Sequence, residues 1–177
     1  MLAVSDIYVQ KNFLGLLRAI IELRRQFPEI RLKIAGRPVD LEYFEVLKRL
    51  IAEADLSSNV EFLGHVETDE LRELYRTCGV FVFPSTVETF GNPLVEAMAC
   101  GAPIASSNSA AMPEVLGDAA EFLDPNDVDD MCATISGLIS DQDQRERLSA
   151  AARDRAARYS WQETKRQTLE VIMGKTG

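Results

Sequence analysis

The sequence is poor in the residues that staple or metallate a fold. Cysteine occurs three times in 177 residues, at Cys78, Cys100 and Cys132. The number is odd and the spacing wide, so neither a disulfide framework nor a metal cluster is expected. The contexts YRTCGVFVF and EAMACGAP read as buried small residues, which favours a reducing, cytoplasmic setting. The lone histidine, His65 in FLGHV, reads as a surface or structural residue rather than a general base. No apolar run approaches the roughly 20 residues of a membrane span, and no signal-peptide pattern opens the chain. Positive charge is also scarce. There are 19 Lys and Arg against 28 Asp and Glu, a formal net charge of -9. A general nucleic-acid binder carries a basic surface, so the balance argues against that class. It leaves room for an anionic ligand, because a few local cations and a helix N-terminus can hold a phosphate.

What is present is an ordinary globular composition, 46% hydrophobic and 27% charged, of a length that suits one domain. Residues 1–177 are read as that domain. The chain starts directly on strand-like MLAVSDIY, as a piece of a longer protein would. Short apolar runs then alternate with helical ones. LAVSDIY, RLKIAG, NVEFLG, GVFVFP, APIASS and AAEFLDP read as strands, and the fully apolar fourth suits the centre of a parallel sheet. Between them lie helices capped by Asn12 and Asp40, one opened by Thr68 with Asp69 and Glu70 in its first turn, and one in which Asn92 caps, Pro93 takes the first position and Gly101 stops it. Three helices follow without strands, with Asp141 and Ser160 as caps. The alternation predicts an α/β fold: a doubly wound, six-stranded parallel sheet with C-terminal helices. In such sheets ligands bind beyond the carboxyl ends of the strands.

The chemistry concentrates in VETFGNPLVEAMACGAPI, residues 87–104. Glu96 is the one charged residue between Pro93 and Cys100. It is placed in the first turn of a helix that is otherwise buried. A helix-dipole preference, about 0.3–1 kcal/mol, explains an acid there but not its apolar company. A carboxylate in such company is costly unless something pairs with it, and ligand hydroxyls would do so. Glu88 lies on the loop before, a weak signal alone. Phe90, Gly91 and Asn92 then offer unpaired backbone N–H groups at a helix N-terminus, a ready anion site, and Gly91 permits close approach of a ligand. Lys11 sits before a helix start, where a cation is electrostatically misplaced unless an anion binds beside it.

With these residues assembled, FVFPSTVETFGNPLVEAMACGAPI resembles the E-x7-E signature of retaining glycosyltransferases of family four, the large group-one family with the GT-B fold. The likeness extends along the chain through QKN, IAG, VEFLGHV, PEVLGDAAEFLDPND and YSWQET. It implies the Rossmann-like, donor-binding C-terminal half of a two-halved enzyme, with the N-terminal acceptor half as its partner. In relatives the residue matching Glu96 binds the ribose of a nucleotide sugar, and the one matching Glu88 meets the donor sugar. That makes Glu88 the catalytic candidate. The backbone of Phe90, Gly91 and Asn92 meets sugar and diphosphate, and Lys11 binds diphosphate. Gly36, Arg37, Gly64, Ser85, Thr89, Leu94 and Val95 complete the implied donor site. Neither cofactor nor metal is implied, and the parent would be cytoplasmic, with peripheral membrane association open. By analogy the donor is mannose on guanosine diphosphate or a uridine diphosphate sugar, used in envelope polysaccharide assembly.

Two departures stand out. Ser5-Asp6 replaces a Gly-Arg pair common in relatives, so a second cation is lost. Either Lys11 and the helix terminus suffice, or Arg37 helps, or phosphate binding is weaker. Thr89 replaces a frequent glycine. The DVD at Asp127–Asp129 matches a metal-binding pattern of another glycosyltransferase fold, but here it opens a helix, where aspartates cap. The arginines from Arg145 to Arg158 read as a solvated face paired with acids. An oxidoreductase is disfavoured because SDIYVQKN, not G-x-G-x-x-G, follows the first strand. A nucleotide-sugar epimerase and a non-catalytic nucleotide-sugar-binding module remain as alternatives. The final helix, from Trp161, resembles the segment that packs toward the acceptor half, so its apolar face is expected to lie exposed.

Overall fold

The computed structural model describes residues 1–174. Strands β1 (Leu2–Val4), β2 (Leu32–Ala35), β3 (Val60–Gly64), β4 (Phe81–Phe83), β5 (Ile104–Ser107) and β6 (Glu121–Leu123) form one parallel sheet, ordered β3-β2-β1-β4-β5-β6. Alternate strand residues enter opposite cores. Val82 joins Leu16, Ile34 and Met131 under α1 (Phe13–Gln26), α2 (Leu41–Glu53) and α6 (Val128–Ser140). Phe81 and Phe83 join Tyr75, Leu94 and Met98 under α3 (Thr68–Thr77), α4 (Asn92–Cys100), α5 (Met112–Leu116) and α7 (Gln142–Ala156). The sheet is therefore doubly wound, as its strand-helix alternation predicts. Its order reverses between β1 and β4, which share a single register pair, Leu2 with Phe81. That reversal opens a crevice at the strand ends.

Most caps fall where side-chain chemistry puts them. Asn12, Asp40, Asp141 and Ser160 accept hydrogen bonds from the backbone N–H of Gly15, Tyr43, Gln144 and Glu163. Asp127 accepts from the N–H groups of Asp129 and Asp130, so the DVD motif is a cap. Among the described residues no group of three or more His, Cys, Asp or Glu could hold a metal ion. Helix α3 opens at Thr68 with Asp69 and Glu70 in its first turn, as its sequence suggests. Helix α5, short and Pro-containing, is too brief for a periodic signal. Two local expectations need correction. Helix α4 takes Gly91, at φ 79°, as its cap, and Asn92 is its first residue. The first strand ends at Val4, although its backbone continues to follow β2: the N–H groups of Ser5 and Ile7 donate to the carbonyls of Ala35 and Arg37 at 2.9 and 2.8 Å. Gly36 allows this approach, since a Cβ there would stand 1.9 Å from the Ser5 carbonyl oxygen.

The tail arginines are also not simply a solvated face. Arg145 donates to the Leu138 and Ile139 carbonyls at the end of α6, and Arg155 to Val115 and Glu114 at the end of α5. Cations there satisfy orphan carbonyls and complement the helix dipole. Helix α8 (Trp161–Ile172) buries none of its residues, and Trp161, Val171 and Ile172 are largely exposed, as expected of its apolar face. No helix among the described residues is long and apolar enough to cross a membrane.

Candidate functional site

The residues singled out in the sequence lie on the loops and helix starts beyond the carboxyl ends of β1 to β4, on both sides of the crevice. On the β1 side a 3₁₀ turn, Val9–Lys11, carries the chain into α1. On the β4 side the loop from Pro84 to Gly91 leads into α4. The two are tied together: Thr86 donates to the Gln10 carbonyl from its N–H at 2.9 Å and from its hydroxyl at 3.2 Å.

Across this tie Lys11 Nζ forms an ion pair with Glu88 Oε1, the two side chains each 14% exposed. The ammonium also lies 5.5 Å from the Tyr8 ring centre and 5.9 Å from that of Phe83. Lys11 is thus neither a solvated lysine nor an unpaired cation. It is held by the very carboxylate assigned to the sugar, a partnership between residues 77 apart that no local pattern reveals.

The next residues present backbone rather than side chains. Helix α4 starts without a side-chain cap. Among the described residues the N–H groups of Phe90, Gly91 and Asn92 find no acceptor, which leaves an uncapped helix start close in sequence to Glu88, the kind of terminus that suits an anion. Thr89 and Phe90 are exposed, whereas Ser85 is buried at the end of β4. Leu94 is fully buried in the core, and its N–H is given to the Gly91 carbonyl at 2.9 Å, so its side chain does not face the crevice.

Glu96 differs most from its sequence reading. It is the fifth residue of α4, not in the first turn, and it is exposed. The helix buries Leu94, Ala97 and Met98 but leaves Asn92, Glu96 and Ala99 on an open stripe. The small apolar residues around Glu96 disguised that stripe. The carboxylate is nevertheless anchored: Glu96 Oε2 accepts a hydrogen bond from the Tyr75 hydroxyl at 3.1 Å. Phe90, Asn92, Val95, Glu96, Tyr159 and Trp161 are among the residues lining a cleft of about 600 Å³. Phe90 is held there by edge-on contact with the Tyr159 ring, 5.6 Å between centres.

Gly36, Arg37 and Gly64 form the far rim. The Gly36 N–H donates to the Gly64 carbonyl at 2.8 Å, joining the ends of β2 and β3. Arg37 is exposed and engaged with Asp6: its N–H reaches Asp6 Oδ1 at 2.9 Å and its guanidinium Oδ2 at 3.3 Å. The Arg37 backbone bond, then the guanidinium, hold the Asp6 carboxyl below the usual carboxylate range. Asp6 therefore does not merely remove a cation; it anchors another at the same rim. His65 is exposed there, 3.5 Å from Glu67. The cysteines are half-buried, not fully buried, and burial pushes the Cys78 thiol up to about 11. Tyr75 is the partner of Glu96 that the sequence does not single out. Tyr75 lies on the apolar stripe of α3, where it reads as core alone.

The sequence profile of the glycosyl transferases group 1 family matches residues 1–155. The chain is 36% identical over 174 residues to O-antigen chain mannosyltransferase B of Escherichia coli, covering 96% of this chain and 44% of that protein. It is 32% identical over 171 residues to a phosphatidyl-myo-inositol mannosyltransferase of Mycolicibacterium smegmatis, covering 95% and 43%. Among solved structures it is similar to HepE of Anabaena in complex with UDP, at a TM-score of 0.85 and 22% identity, over 99% of this chain and 48% of that one. It also matches the C-terminal domain of the group 1 glycosyl transferase LpcC of Francisella tularensis, at a TM-score of 0.78 and 23% identity, over 88% and 83%. These structural likenesses show the fold. The chain spans less than half the length of the curated relatives just named. With its profile match running from the first strand to the end of α7, the chain belongs to the glycosyl transferases group 1 family.

Proposed function

We propose that this chain is the donor-binding half of a glycosyltransferase that moves a hexose from a nucleoside diphosphate to an acceptor with retention at the anomeric carbon. The observation that carries this is the convergence of a cation, a carboxylate and an uncapped helix start at the switch point: Lys11, Glu88 and the N–H groups of Phe90 to Asn92. Lys11 and the α4 terminus would take the diphosphate, whose negative charge grows as the sugar leaves. Fixed charges and dipoles aimed at such developing charge are the largest lever a site of this kind has. Glu88 would face the sugar and steady the positive charge developing there, and Glu96 would accept the ribose hydroxyls. Neither metal nor cofactor enters this step. The acceptor would be held by a second half of the parent, in keeping with the length of the relatives. Two named mannosyltransferases among those relatives favour mannose as the sugar. The parent would work in the cytoplasm, at polysaccharide acceptors near the membrane face.

The test is a thermal-shift panel of uridine, guanosine and adenosine diphosphates with their sugars. A ligand at 100 times its Kd adds about 2.7 kcal/mol, which for a chain of this size raises Tm by roughly 5–10 °C. A flat response across the panel sinks the proposal. The ribose assignment has its own check. Glu96→Gln keeps the shape but removes the charge, and a hydrogen bond to a charged group is worth roughly 1.5–3 kcal/mol. Affinity for the preferred ribonucleotide should fall by about that amount by calorimetry, and much less for its 2′,3′-dideoxy form. Equal losses would place Glu96 away from the ribose.

A further inference from the structure

Beneath Glu96 lies a residue with no place in the proposal above. Tyr75 is 1% exposed, its ring packed edge-on against Phe81 with centres 5.3 Å apart. Its hydroxyl emerges from the core at one point and donates to Glu96 Oε2 at 3.1 Å. Among the described residues no donor reaches Glu96 Oε1. An exposed glutamate on a helix ordinarily samples several rotamers, and ordering it on ligand binding has an entropic cost. Here a buried phenol holds one carboxylate oxygen of a residue that lines the cleft. Burial, and then the carboxylate itself, raise the Tyr75 pKa far above its ordinary value, so the phenol keeps its proton and remains a donor.

We infer that Tyr75 is a positioning residue for the donor site: it fixes the Glu96 carboxylate in the orientation that accepts a ribose diol. The inference rests on the ribose reading of Glu96. It differs from the structural role of a core tyrosine because it assigns the hydroxyl, not the ring, to binding. The arrangement also explains why α3 carries tyrosine where its neighbours Leu71 and Leu74 would suffice for packing.

The test is Tyr75→Phe, which keeps the ring on Phe81 and opens no cavity. Calorimetry compares UDP and GDP with their 2′,3′-dideoxy analogues, using the base that the wild-type chain prefers. Loss of one such hydrogen bond predicts a roughly three- to tenfold weaker affinity for the ribonucleotide, with the dideoxy analogue unchanged. A merely structural role would weaken both ligands alike, so the ratio of the two affinities is the readout. In the Glu96→Gln background, Tyr75→Phe should add little, because both changes act on one acceptor. If the wild-type chain itself fails to distinguish ribose from dideoxyribose, the assignment of Glu96 falls and this inference with it. If the wild type discriminates and Tyr75→Phe does so equally, or if the two substitutions are additive, the inference alone is overturned.

Discussion

Lys11→Ala should weaken nucleoside diphosphate binding by about 2–5 kcal/mol, the usual cost of truncating one partner of a poorly solvated charge pair, while leaving the nucleoside nearly unaffected. Two effects act in the same direction. The diphosphate loses its nearest cation, and Glu88, now unpaired at 14% exposure, repels the incoming phosphates. Salt should also matter less to the variant than to the wild type, because the screened attraction is gone. Calorimetry of nucleoside against diphosphate at two ionic strengths measures all of this. Equal losses for both ligands would remove Lys11 from the phosphate site.

Glu88→Ala should act in opposite directions on two ligands. Glu88 neutralises Lys11, so a bare diphosphate has to compete with it. Removing Glu88 frees the cation, and affinity for the bare diphosphate should hold or rise. The sugar-bearing donor should not gain in the same way, because its sugar loses a contact. In the full-length parent the loss should fall mainly on kcat, by about 10²–10³-fold if Glu88 supports charge that develops only in the transition state. The comparison needs calorimetry on this chain and steady-state kinetics on the parent. A variant that no longer binds bare diphosphate, or a parent with unchanged kcat, would contradict this division of labour.

The contrast between these two variants shows what local sequence pattern can and cannot carry. The strand-helix alternation, both layers and most caps follow from short-range rules, because an aspartate before an apolar periodic run has only a few ways to satisfy the helix start. Glu88, Phe90 to Asn92 and Lys11 were legible as a set through motif and helix-end electrostatics. Their mutual geometry was not. The Lys11–Glu88 pair joins residues 77 apart, and nothing within a window of sequence couples them. Glu96 misled for a different reason. Its neighbours Ala97, Ala99 and Cys100 are small enough to sit on either face, so an apolar run did not mean a buried one. Asp6 looked like a lost charge, and only the fold shows it gripping Arg37 from the adjacent strand end.

The single register pair between β1 and β4 has a mechanical meaning. The sheet divides there into two three-stranded leaves, β3-β2-β1 and β4-β5-β6, paired directly at that one point while both cores run across the join. Lys11 belongs to one leaf and Glu88 to the other, with the Thr86–Gln10 bonds beside them. The ion pair thus acts as a rivet across the join. A diphosphate seated there would replace that rivet with an external one, held by the cation of one leaf and the helix start of the other. Occupancy would then be felt as resistance of the whole domain to being pulled apart, well away from the atoms that touch the phosphate.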